Sequence, residues 1–530
     1  MEFAGKTRTI ERVEKAASFI LVVGAFFCLS NVIYTLYHFV WIDEADFRSV
    51  LGPILYIALP ALVAALLLGA LRLRAPFRIK LALVVLSTGV SVYGAEGYLT
   101  FSDPDSLNAE TTLWGIGPDS SAAEIRETIE LAKNYGVTFD TRTKGEVIDD
   151  LAKKDVHVVP AIYPFSLLEK QADGTNKSAI TIGGAEILPL SGISNSKTIL
   201  CNEEGEHVIY ESDEHGFHNP RGIWSVGHFD VAAIGDSFTQ GMCVPSGKNF
   251  VSIVQKRYPR TLNLGIQGTG PLTQLATLRE YLPFVKPNLV FWFYFERNDF
   301  DDMRIAMKNP LLRNYLRRGF SQSLFGKQAD LDRALTEYIR KIRSGQKLTK
   351  KNKAPTGSFR GIVDIEHAIN IPERLSDQAI SIFKLSSIRE KLGWVHGSRR
   401  ERSSVTPAFP INADIDTLRD VLLEAQAVLG GWGGKLYVVY LPDRDRYAKP
   451  ATGATFNRDR VLTMLRTTAV PVIDLDNAFR VQADPLALFP FRRFGHYNET
   501  GHRLVAEEVL RVICAEELTK RMALPNRTCD

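Results

Sequence analysis

Apolar residues are spread very unevenly along this chain. Three nearly unbroken apolar runs occupy residues 16–41, 51–71 and 79–99, and beyond them hydrophobic and polar positions interleave in short stretches. A helix needs about 20 apolar residues to cross a bilayer. The first run meets that length and is too long for a cleaved signal peptide, and two more follow it directly. Pro53 and Pro60 in the second run are tolerable in a membrane helix, and Lys80 and Glu96 lie near the ends of the third. Residues 1–100 are therefore expected to form a membrane anchor of three transmembrane helices. Lys6, Arg8, Arg12 and Lys15 precede the first run, and Arg72, Arg74, Arg78 and Lys80 separate the second from the third. The loop between the first and second carries Asp43, Glu44 and Asp46 instead. The positive-inside rule then puts the N-terminus in the cytoplasm and everything after about residue 100 outside.

The pattern changes again beyond the anchor. Residues 100–112 read as a polar linker, followed over 121–160 by two helical patterns and a strand-like VHVVPAIYP. Residues 178–218 hold β-branched runs broken by Gly, Asn and Asp, the signature of hairpins. Together 101–228 predict a small α/β and β-hairpin subdomain. From 229 onward, short apolar strands alternate with helical patterns: FDVAAIG, TLNLG, NLVFWFYF, KLYVVYL and VPVIDL. That rhythm predicts an α/β domain over 229–518 with a parallel sheet, whose ligands bind at the carboxyl ends of the strands. Residues 300–413 interrupt it with a mostly helical insertion, and 519–530 are left as a tail.

Charge and composition add little. The formal net charge of the 530 residues is +4, so the whole-chain balance points to no nucleic acid. Of five cysteines, Cys28 falls in the first apolar run. Cys201, Cys243, Cys514 and Cys529 are left either to pair or to stay as buried thiols, and no zinc-type CxxC spacing occurs.

The candidate chemistry sits at strand ends. The first strand of the α/β domain runs into Gly235-Asp236-Ser237-Phe238-Thr239, which exposes a hydroxyl at the sheet edge beside free helix N–H groups. An ordinary Asp/Ser helix cap explains that segment equally well. The second strand ends in Asn263-Leu264-Gly265-Ile266-Gln267-Gly268-Thr269-Gly270, a plain tight turn or a backbone donor that approaches a substrate oxygen closely. Glu296-Arg297-Asn298-Asp299 follows the third strand and offers a side-chain amide. His496 and His502 lie before or at the start of the last helical pattern, in a loop able to reach across the sheet edge.

Taken jointly, these four blocks resemble the SGNH/GDSL hydrolases, and more narrowly the membrane-anchored bacterial members associated with envelope polysaccharides. The resemblance implies a flavodoxin-like three-layer α/β/α domain and a catalytic set of Ser237 as nucleophile and His496 as general base. It also implies an oxyanion hole made by the N–H groups of Ser237 and Gly268 and the side chain of Asn298. It further implies a serine esterase or O-acetyltransferase of the bacterial inner membrane, its catalytic domain periplasmic or extracellular. The substrate would be an ester on a glycan, in the company of polysaccharide machinery. No cofactor or metal is expected. Two positions depart from the family. Arg493 stands where an aspartate three residues before the histidine usually orients the imidazole, which leaves an acid from elsewhere, with Asp484 and Asp474 as candidates, a Ser–His dyad, or an impaired site. Glu296 replaces a glycine two residues before Asn298, a carboxylate that needs Arg297 or another cation to neutralise it. A catalytically silent glycan-binding or scaffold protein and a membrane lipid esterase are the alternative readings.

Two weaker patterns remain. Residues 340–353 concentrate basic residues, as a solvated insertion tip or a contact for anionic headgroups or glycan. The preceding stretch from Met303 to Phe325 mixes apolar and basic residues, as an interfacial helix or as a helix packed on the domain.

Overall fold

The segment Leu289–Phe295, LVFWFYF, has no polar position at all, so it can only be a strand covered on both faces. In the computed structural model it is the central strand of a five-stranded parallel sheet, buried along its whole length. The structure describes residues 2–41, 57–101, 122–171, 173–343, 411–448, 458–493 and 495–521. The chain divides into two compact units, Met1–Ser106 with Ala354–Ser398, and Leu107–Lys353 with Arg399–Asp530.

In the first unit, α1 (Glu2–Trp41), α2 (Leu59–Gly69) and α3 (Ala75–Phe101) pack around Ala17, Leu21, Ala25, Ala64, Leu67 and Ala82. Small residues at the seam let the helices approach closely. Two stretches, Glu11–Ser30 and Ala75–Ala95, are long and apolar enough to cross a membrane. The apolar stretch Leu59–Arg72 is shorter, and the start of the expected second span lies outside the described residues. Phe19, Phe26, Leu66 and Phe77 point away from the bundle and are exposed in the isolated chain.

The second unit opens with α4 (Ala122–Asn134) and α5 (Lys144–Ala152). Thr143 and Glu146 cap α5 reciprocally, each side chain bonding the other residue's backbone N–H. A three-stranded sheet follows: β1 (Val158–Pro160) runs parallel to β2 (Lys197–Ile199), which is antiparallel to β3 (Ile209–Glu211). The expected hairpins are thus one β2–β3 pair and two very short ladders before it.

The large sheet is built from β4 (Val231–Ile234), β5 (Thr261–Asn263), β6 (Leu289–Phe295), β7 (Lys435–Leu441) and β8 (Val472–Asp474). Their spatial order is β8-β7-β6-β4-β5, all parallel. The first strand therefore lies between the second and third, as in flavodoxin-like sheets, and the chain reverses its winding between β4 and β6. Side-chain alternation splits the core in two. Ala232, Ile234, Val290, Trp292, Val438 and Tyr440 face one layer, and Val231, Ala233, Phe291, Phe293, Tyr437 and Val439 face the other. The helices α7 (Phe250–Arg257) and α13 (Glu499–Arg521) cover the second face; α8 (Pro271–Val285), α10 (Gln328–Arg343), α11 (Ile411–Gly430) and α12 (Arg458–Thr467) cover the first. Between them fall two short helices, α6 (Ser237–Gln240) and α9 (Asp299–Met307).

The stretch from Met303 to Phe325 packs on the domain. Met303, Ala306, Leu312, Tyr315 and Leu324 are buried in the first-face core, which leaves no free apolar stripe for a membrane surface. Its anchor is the buried Glu280 carboxylate on α8, which accepts from the Leu324 N–H at 2.7 Å, the Gln322 N–H at 2.5 Å and the Tyr315 hydroxyl at 2.5 Å. Residues 344–410, which hold most of the basic stretch and the remainder of the insertion up to α11, lie outside the described residues.

Candidate active site

β4 is too short to continue past Ile234, and Gly235-Asp236 turn the chain sharply into α6. Asp236 caps that helix, its Oδ1 accepting the Phe238 N–H at 3.0 Å, so the next side chain emerges at the sheet's carboxyl edge. That side chain is Ser237, 6 % exposed. Its Oγ lies 3.0 Å from His496 Nε2. The other ring nitrogen, Nδ1, lies 2.7 Å from Glu203 Oε1. An ionised carboxylate can only accept, so the proton on Nδ1 faces Glu203 and the Nε2 lone pair faces the serine hydroxyl. This is the arrangement a general base requires.

The histidine is held from its C-terminal side. Asn498 Oδ1 accepts the N–H groups of Thr500 and Gly501 and so starts α13, while the Tyr497 hydroxyl donates to Pro442 O at 2.7 Å. The His496 ring packs beside Phe238, centroids 5.1 Å apart. His502 is a different residue in kind. It is fully buried, its Nδ1 accepts the Phe250 N–H at 3.2 Å, and burial, with the nearby charge of His496, pushes its pKa down to about 3. It joins α7 to α13 as a neutral core group.

The carboxylate on His496 comes from the β2–β3 loop of the small sheet, 293 residues away in sequence. Neither acid expected from sequence occupies that position. Asp484 instead caps the turn at Leu486 and binds Arg492, with Nε at 2.8 Å. Asp474 ends β8 paired with Arg458. The reading failed because Glu203 carries no motif; its one local signal is its place two residues after Cys201.

The departure at Glu296 is resolved in a similar way. The side chain is buried and turned along the sheet edge, where it accepts from the Tyr440 hydroxyl at 2.7 Å, the Asp443 N–H at 2.7 Å and Arg446 Nε at 2.9 Å. The neutralising cation is Arg446, not Arg297, which pairs with Asp443 and Asp445 at 3.2 and 2.8 Å. The extra carboxylate is therefore fully compensated where it sits.

Gly268 lies in the turn after β5 with φ +66°, and a Cβ there would meet the Tyr163 ring at 2.9 Å, so only glycine fits. The Gln267 N–H donates to Gln240 Oε1 at 2.9 Å and Thr269 Oγ1 to Gly235 O at 3.3 Å, which ties this turn to α6 and the turn that leads into it. Asn298 caps the end of β6, with Nδ2 donating to Asp302 Oδ2 at 3.1 Å and Oδ1 without a partner among the described residues. Burial, then the charges of Asp236 and Asp301, push Asp302 up to about 8.

Glu203, Cys243 and His496 bring a carboxylate, a sulfur and an imidazole within 4.8 Å of one another. The sulfur of Cys243 is bonded to that of Cys201, and Cys514 is also disulfide-bonded, so Cys243 offers no thiolate to a metal.

Neither a family model nor a curated relative matches the sequence. Solved structures do resemble parts of it. A member of the lipolytic protein G-D-S-L family from Veillonella parvula aligns at 12 % identity and TM-score 0.25, covering 53 % of this chain and 96 % of its own. A protein described as an acylhydrolase from Bacteroides fragilis aligns at 12 % and 0.26, covering 53 % and 85 %. A third, from Lactobacillus plantarum, aligns at 12 % and 0.25, covering 54 % and 97 %.

Beside the acid, Glu204 is pushed up to about 7 by burial, then by the charges of Glu499 and Glu203. The folded protein keeps a proton there that the unfolded chain releases above its ordinary 4.5. This group therefore lowers stability as pH rises from about 4.5 through 7. Glu204→Gln is expected to raise the melting temperature at pH 8 and to leave it nearly unchanged at pH 4. Thermal unfolding of both proteins at the two pH values checks this; an equal gain at both would show that the charge is not the cause.

Proposed function

We propose that this protein is a membrane-anchored serine esterase or O-acyltransferase that works through Ser237, His496 and Glu203. The observation that carries the reading is the hydrogen-bonded sequence Ser237 Oγ, His496 Nε2, His496 Nδ1, Glu203 Oε1 at 3.0 and 2.7 Å. In the proposed reaction, His496 Nε2 takes the hydroxyl proton as Ser237 Oγ attacks an ester carbonyl carbon. The Ser237 and Gly268 N–H groups and Asn298 Nδ2 receive the oxyanion, and Glu203 balances the imidazolium. Collapse releases the alcohol, which takes its proton from His496. The acyl group on Ser237 then passes to water or to a sugar hydroxyl, the same residues serving both outcomes.

The outward placement of the site rests on the charged flanks of the apolar helices and agrees with a disulfide beside it, since such bonds persist in oxidising compartments. An envelope polysaccharide as bearer of the ester follows from the sequence resemblance.

The test uses the full-length protein in detergent, with 4-nitrophenyl acetate as substrate and a fluorophosphonate as covalent probe. Turnover is expected, together with phosphonylation found by peptide mass at Ser237. A folded protein that shows neither would move the assignment to a silent glycan-binding protein.

A further inference from the structure

Resting on that reading, we propose that the Cys201–Cys243 disulfide is a positioning element of the active site. It holds Glu203 against His496, so that oxidation of the two thiols completes the catalytic set.

The argument begins with where the acid comes from. Ser237 and His496 belong to the large sheet, whereas Glu203 stands on a loop of the small sheet. Most of that loop's hydrogen bonds lead back into the small sheet's own surroundings. Asn202 Nδ2 donates to Asp140 O at 2.9 Å, its Oδ1 accepts the Gly205 N–H at 2.8 Å, and the Asp140 N–H donates to Gly205 O at 2.8 Å. The pairs Leu200–Val208 and Val208–Cys201 close the loop base. These bonds shape the loop without fixing its distance from the imidazole.

The disulfide supplies that distance. Cys201 precedes Glu203 by two residues and Cys243 follows Ser237 by six, and the bond brings their Cα atoms to 5.1 Å. At the Cys243 end, the N–H groups of Gly241 and Met242 both donate to Ser237 O, at 3.1 and 2.9 Å, so the backbone that leads into Cys243 is tied to the carbonyl of Ser237. Cys243 also has φ +59°, a left-handed backbone that a side chain adopts only when its surroundings impose it. Both sulfurs are buried, with Ala161, Leu200, Val208, Tyr210 and Met242 around them. Other contacts span the same seam, among them Asn219 Nδ2 to Asn263 O at 2.8 Å, Arg492 Nη1 to the Tyr135 hydroxyl at 3.1 Å, and His218, packed beside Tyr210, to Gln240 O through Nδ1 at 2.7 Å. Among the described residues, only the disulfide is bonded within two residues of Glu203 on one side and within the turn that follows Ser237 on the other.

The redox step balances simply. A dithiol such as dithiothreitol gives two electrons and two protons to the Cys201–Cys243 bond, yielding two thiols and its own cyclic disulfide. The reduced protein keeps Ser237 and His496 as a dyad, with Glu203 no longer clamped. A displacement of about 1 Å at a reacting group can cost about 100-fold in rate.

The test is a cycle of four full-length proteins assayed on 4-nitrophenyl acetate: wild type, the pair Cys201→Ser with Cys243→Ser, Glu203→Gln, and all three changes together. Removing the disulfide from the wild type is expected to lower kcat about 10- to 100-fold with KM within about twofold. Removing it from Glu203→Gln is expected to change kcat less than about twofold, because the acid through which it acts is gone. Equal losses in the two backgrounds, or no loss in the first, would overturn the positioning role. If the serine pair does not fold, as judged by circular dichroism, the same cycle is run by reducing and reoxidising the wild type and Glu203→Gln proteins with thiols counted. An oxidised wild type that neither turns over ester nor labels at Ser237 would instead sink the esterase reading, and this role with it.

Discussion

Ser237→Ala is expected to lower kcat for ester hydrolysis by about 10⁴- to 10⁶-fold while the protein folds and melts as the wild type does. The hydroxyl bonds the His496 ring, so the change removes the attacking atom and not the scaffold. His496→Ala is expected to cost nearly as much. The double variant should be no slower than the worse single one, because the two groups act as one unit and either loss disables it. Any residual turnover would come from binding and the oxyanion donors. Pre-steady-state assays check the mechanism further: the wild type should release one equivalent of nitrophenol in a burst, and Ser237→Ala none. A single variant that kept more than a tenth of wild-type kcat would show that the nucleophile lies elsewhere.

The second large effect concerns the acid. Glu203→Gln is expected to lower kcat by about 10²- to 10⁴-fold with little change in KM. Glutamine has the same shape and can still accept from Nδ1–H, but it cannot balance the imidazolium that forms as Ser237 attacks. The loss should therefore appear in the chemical step and not in binding. Asp484→Asn is expected to stay within about threefold of wild type, since its carboxylate binds Arg492 and the Leu486 N–H and does not touch the imidazole. Steady-state kinetics on the two variants side by side decide between the carboxylates. A large loss in Asp484→Asn with none in Glu203→Gln would reverse the assignment.

These residues also show what the sequence makes legible. Ser237 and His496 follow local signals: a strand breaking at Gly235-Asp236, and a polar loop ahead of a long amphipathic helix. The three inner strands of the large sheet are legible for the same reason, since burial on both faces forces each into a short apolar run. Glu203 is different in kind. Its position depends on the small sheet folding back over the Ser237 helix and on a contact with His496 from 293 residues away, neither of which leaves a period or spacing behind. The pairing of Cys201 with Cys243 was open for the same reason. So was the neutralisation of Glu296, where the adjacent Arg297 was the natural expectation and Arg446, arriving from the end of β7, is the partner. The apolar and basic stretch from Met303 to Phe325 was ambiguous because packing on a domain and lying on a membrane demand the same amphipathic pattern.

The separation between acid and base carries a consequence for synthesis. Translation produces Glu203 first, Ser237 soon after, and His496 only 293 residues behind the acid. A nascent chain halted anywhere before residue 496 therefore has a hydroxyl and a carboxylate with no imidazole between them. Ribosome-bound fragments of this protein should be unable to attack an ester, however well their first strands have already folded.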